Sequence, residues 1–167
     1  MNLKGDASSL IISLVVILFV VGVGSLLFSK VFSETVDNLK TMPQFSNRSV
    51  QNFENVESKT IPFLDYLFFF SFIAITLGLI ISSIFIDIHP VFAVIFIVVL
   101  VVAIILAGLF ANIYTDIGEN SELSSTYDQF TLTKALMNHF PLIVFVIGLI
   151  VTIILYGKTR AGGGLTP

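Results

Sequence analysis

The chain contains no cysteine and no tryptophan, and only 11% of its 167 residues are charged. Without cysteine there can be no disulfide, no thiolate nucleophile and no cysteine-based zinc or iron–sulfur site. Without tryptophan, an aromatic girdle at a membrane surface has to be built from 4 tyrosines and 17 phenylalanines. A net charge of −3 leaves no basic footprint for nucleic acid. No Gly-rich phosphate loop, paired-carboxylate site or nucleophile–base constellation occurs in the chain. The expectation is therefore a protein that is not an enzyme and takes no cofactor.

Hydrophobic residues are what the chain has in excess, at 56% of the total. Soluble domains carry about 25% charged residues, more than twice the fraction found here. The apolar residues are gathered into runs rather than spread. Ile61–Ile86 and Val91–Ile113 contain no Lys or Arg, and each exceeds the roughly 20 residues a helix needs to cross ~30 Å of hydrocarbon. Asp87-Ile88-His89-Pro90 joins them. So short a link implies that the two helices pack as an antiparallel hairpin. Leu10–Phe28 is a third run, longer than the core of a usual signal peptide and followed by no small-residue cleavage site, so it reads as a retained anchor. Phe140–Tyr156, ended by Lys158 and Arg160, is the fourth.

The expected fold is all-α: a single polytopic membrane domain over residues 1–167. Its spans lie at about 9–28, 61–86, 90–114 and 140–157, with polar loops at 29–60 and 115–139. Past Phe28 the positions Phe28, Phe32, Val36 and Leu39 continue a helical stripe, which predicts an amphipathic extension of the first span as far as Met42-Pro43. A second short amphipathic piece, with Val50, Phe53 and Val56 on one face, falls within Ser49–Glu57. These apolar faces are expected to rest on each other or on the membrane. Pro62, Pro90 and Pro141 sit where helices are expected to start, since proline is well tolerated in a first turn. In the last loop Ser125-Thr126-Tyr127-Asp128 has the layout of a capping box for a helix running through Met137.

Four spans put both termini on one side. The raw Lys and Arg count favours the loops inside, whereas charge density near the helix ends favours the termini inside, and the latter is the orientation expected.

Within lipid, helices approach closely at small residues. Ser71, Ala74, Gly78 and Ser82 form such a stripe on the second span, and Ala103, Ala107, Gly108 and Ala111 form another on the third. The hairpin predicts that the two stripes face each other. Asp65 is the deepest ionisable residue, a possible intramembrane polar site. Its position near the expected start of its span suits a carboxylate through that helix's own dipole. His89 and His139 begin different spans and so fall on opposite membrane sides, which leaves no shared metal site. Asn47-Arg48-Ser49 matches a glycosylation sequon. Lys4-Gly5-Asp6 ahead of a long helix resembles an archaeal class III pilin leader over the first fifth of the chain; pilins have one hydrophobic segment, and this chain has three more.

With no site chemistry and several packing faces, the expected function is a structural or accessory subunit of a larger membrane assembly, cellular or in the membrane of a lipid-containing virus. Its partners would be the lipid bilayer and other membrane subunits. A homo-oligomeric pore, such as a holin-like protein or small channel, is the competing expectation. It would need a polar lumen, and the spans offer few hydroxyls for one, among them Ser13, Ser71, Thr76, Ser82, Ser83 and Thr152.

Overall fold

The structure is a computed structural model that describes residues 7–42, 46–85 and 90–162. The described residues form six helices and no strand: α1 (Ala7–Lys40), α2 (Asn47–Phe85), α3 (Pro90–Gly118), α4 (Ser124–Tyr127), α5 (Thr131–Asn138) and α6 (Phe140–Gly162). Four of them, α1, α2, α3 and α6, are long and apolar enough to cross a membrane. The chain is an all-α, multi-pass membrane protein.

At 1.5 Å per residue, the 34 residues of α1 and 39 of α2 extend about 51 and about 58 Å, well past the ~30 Å of hydrocarbon. Both overshoot at the same end, because α1 leaves the membrane where α2 enters it. The segment 29–60, expected as a polar loop carrying two short pieces, is therefore mostly an antiparallel helical pair projecting from the bundle.

α2 runs unbroken through Pro62, which lies inside the helix rather than at its start. A proline inside a helix costs about 3 kcal/mol and leaves one carbonyl without its donor. Tertiary packing offsets this. Val36 of α1 and Ile61 of α2 are both buried, and Lys40 Nζ bridges Glu54 of α2 at 3.3 Å and Asp37 of its own helix at 2.9 Å. Those two carboxylates raise the pKa of the Lys40 ammonium, though an exposed pair of this kind adds little stability. Just ahead of Pro62, the Ser58 and Thr60 hydroxyls donate to the Asn55 and Val56 carbonyls. The apolar faces thus meet one another in part: Val36 is buried, whereas Phe28 and Val56 stay exposed. Pro90 and Pro141 do sit in first turns, of α3 and α6. Pro43 and Asp87-Ile88-His89 lie outside the described residues.

Helix neighbours differ from the expected hairpin. α1 packs between α2 and α3, and α6 packs between α3 and α2 on the other side, so α2 and α3 occupy opposite corners. Five steps of chain from Phe85 to Pro90 can reach about 16–18 Å, enough to cross the diagonal of a bundle with helices 8–10 Å apart. A short link brings two helix ends together but does not dictate which helices touch.

The small-residue stripes separate accordingly. Ala103, Ala107 and Ala111 are buried, and Gly108 lies 3.8 Å from the Pro141 ring of α6, measured from an ideal Cβ. Ala74 and Gly78 of α2 are exposed, and Ser71 and Ser82 half-buried, so the α2 stripe does not face that of α3. Close approaches occur elsewhere. A Cβ on Gly148 would fall inside van der Waals contact with Leu100, locking α6 to α3, and Gly22 of α1 meets Phe68 of α2 and Met137 of α5. Phe19 and Phe110 stack at 4.3 Å between α1 and α3.

These contacts predict opposite outcomes for two glycines. Gly148→Ala should lower the unfolding midpoint in detergent, with an overpacking cost of about 1–3 kcal/mol. Gly78→Ala, where a new Cβ meets nothing within 4 Å, should leave the midpoint unchanged or slightly raised.

Candidate functional site: a buried carboxylate at the bundle end

The segment between α3 and α6 does not stand away from the bundle as a free polar loop. α4 contacts α1 and α3, and α5 contacts α2, α3 and α6. Tyr127, Phe130, Leu136 and Met137 are buried, so this segment closes the end from which α1 and α2 project. Gly118 makes room for the Tyr127 ring, where any Cβ would collide with ring atoms. Tyr127 packs in turn on Tyr114 with centroids 5.6 Å apart.

The expected single helix from Ser125 to Met137 is instead two, broken at Asp128-Gln129-Phe130. The capping box is not made: the N-cap of α4 is Leu123, and no side chain bonds there. At the N-cap of α5 stands Phe130, which is fully buried and has no polar atom to offer. The first amides of α5 would then be orphaned in an apolar setting.

Asp65 supplies what Phe130 cannot. Its Oδ2 accepts the Leu132 N–H at 3.0 Å, and its Oδ1 accepts the Thr133 N–H at 2.8 Å and the Thr133 hydroxyl at 2.7 Å. The Thr131 hydroxyl makes a longer contact with Oδ2 at 3.4 Å. The carboxylate is only 4% exposed and Thr133 is fully buried. A charge moved out of water is costly unless paired or hydrogen-bonded, and bonds to an ionised acceptor are the strong kind. The positive end of the α5 dipole adds to them. Asp65 is thus a helix cap delivered from another helix.

This corrects the sequence reading in one respect. Asp65 is 18 residues past Asn47, about five turns into α2, too far from that helix's own N-terminus for its dipole to matter. The dipole that Asp65 meets belongs to α5. Leu132 and Thr133 were missed by sequence reasoning, and the one signal available was the pair of threonines, Thr131 and Thr133, ahead of a short apolar stretch.

Around this cap lie weaker contacts. Lys134 Nζ is 2.8 Å from Asp128 Oδ1 and 4.5 Å from the Tyr127 ring centroid. The Asp128 carboxylate raises the Lys134 pKa. Tyr114 is fully buried, and its hydroxyl has no hydrogen-bond partner among the described residues. His139 is exposed, with Nδ1 2.9 Å from the Ala135 carbonyl. Asn47 is exposed at the start of α2, where the Ser46 hydroxyl accepts the Ser49 N–H at 3.3 Å.

No protein-family model, curated protein or solved structure matches this chain. The residues themselves carry the functional reading.

Three substitutions separate the members of the cap by thermal unfolding in detergent. Asp65→Asn should cost about 1–3 kcal/mol, because an amide nitrogen would be turned toward donors. Thr133→Val should cost about 1 kcal/mol, the worth of one hydrogen bond. Tyr114→Phe, which removes an unpaired hydroxyl, should be neutral or stabilising.

Proposed function

We propose that this chain is a non-enzymatic structural or accessory subunit of a larger membrane assembly, in a cellular complex or in the membrane of a lipid-containing virus. The observation that carries the reading is where the buried charge is used. Asp65, the one buried charged residue among those described, is consumed in fastening α5 to α2. The buried Ser83 hydroxyl is likewise returned to its own helix, donating to the Ile80 carbonyl at 2.6 Å. What the molecule presents outward is large and apolar: Ile81 at 53%, Val98 at 62% and Ile153 at 62% exposed, on three different spans. Such faces suit lipid or the helices of neighbouring subunits. The projecting α1–α2 pair adds a surface of both charge signs beyond the bilayer.

A pore within one chain fits less well. The interior is filled by Leu18, Phe68, Ala107, Met137 and Val144, all at 1% exposure or less. A conducting path would have to form between copies.

Native mass spectrometry of the particle extracted in mild detergent tests the proposal. Other subunits co-purifying at fixed stoichiometry are expected. A closed homo-oligomer that conducts ions in planar bilayers would replace this reading with the pore, and a lone monomer would overturn both.

A further inference from the structure

We propose that one face of α2 is a binding site for an anionic phospholipid, with Lys59 holding the phosphate and an apolar ladder below it holding the acyl chains. Asn55, Val56, Lys59, Thr60 and Phe63 line an open concavity of about 480 Å³ where α2 enters its apolar span. Lys59 is exposed there and has no carboxylate partner among the described residues, in contrast to Lys30, Lys40 and Lys134, each paired within 3.3 Å. Its cation therefore remains available at the level where headgroups lie. The Asn55 amide beside it adds a neutral donor.

Below Lys59 the same side of the helix continues as Phe63, Leu67 and Phe70, which are 62%, 46% and 64% exposed. Their spacings of four, four and three residues keep them in line with Lys59 along the helix. From Lys59 to Phe70 is about 16 Å at 1.5 Å per residue, close to the ~15 Å depth of one leaflet's hydrocarbon. A cation at the top of a leaflet-long apolar track matches a molecule with a phosphate at one end and hydrocarbon below. It does not suit a partner helix, since spans meet closely at small residues rather than at phenylalanine and lysine.

The test uses the full chain in nanodiscs of equal phosphatidylglycerol and phosphatidylcholine, with lipids retained on the protein counted by native mass spectrometry after detergent release. The wild type should retain phosphatidylglycerol in preference to phosphatidylcholine. Lys59→Gln should reduce that retention about fivefold, the effect of one lysine near an anionic surface. Lys59→Arg should keep it, and so should Arg48→Gln, which removes a cation about 16 Å further along α2. An unchanged unfolding midpoint in Lys59→Gln shows that the fold is intact. Equal retention of the two lipids by the wild type overturns the site, as does undiminished phosphatidylglycerol on Lys59→Gln. An equal drop in Arg48→Gln would also overturn it, by showing diffuse charge attraction.

Discussion

A carboxylate taken out of water has to find donors, and the closed end of this bundle is arranged around the one place where that happens. Asp65 sits on α2 and its donors sit on α5, 67 and 68 residues further along the chain. Each side solves the other's problem. The carboxylate is stabilised by two amides and a buried hydroxyl, and α5 gains the cap that its own flanking residue, Phe130, cannot provide. With α5 seated, Met137 reaches Gly22 in the interior, where Phe68 also meets that glycine, and α5 lies against both α2 and α3.

That wedge is consistent with the ring of helix contacts. Since α2 and α3 stand at opposite corners, the space between them at this end has to be filled, and the chain between α3 and α6 fills it. Elsewhere the packing follows what lipid demands, which is close approach rather than hydrophobic burial. Ala103, Ala107 and Ala111 give α3 a flat buried side, and Gly148 lets α6 come up to Leu100. Where the α2 stripe fails to find a partner, the structure leaves a groove of about 190 Å³ beside α1, lined in part by Ser13, Gly78 and Ser82.

The four spans and the all-α class were legible in the sequence because length and apolarity are local properties that no distant contact can reverse. The extension of α1 was legible for the same reason, as a 3.6-residue periodicity in Phe32, Val36 and Leu39. Continuity of α2 through Pro62 was not, because the local penalty at proline is outweighed by packing against α1, a partner the residues near Pro62 do not reveal. The pairing of stripes failed for a similar reason. Ser71, Ala74, Gly78 and Ser82 share one helical face, but a face says nothing about which neighbour stands opposite it. At the candidate site, the sequence marks Asp65 as an ionisable residue inside a span and points to its own helix's terminus, whereas the amides it meets are those of α5. Its true partners are set by the tertiary fold alone.

The functional proposal rests on the one buried charge among the described residues, Asp65, being spent inside the fold. Amide hydrogen exchange at Leu132 and Thr133 tests it most directly, compared between the wild type and Asp65→Ala in the same nanodiscs. The account predicts slow exchange at both amides in the wild type and fast exchange in the variant, with Val144 and Ile147 in α6 protected in both. Fast exchange at Leu132 and Thr133 in the wild type would contradict it, because the carboxylate would then not be holding α5 in place.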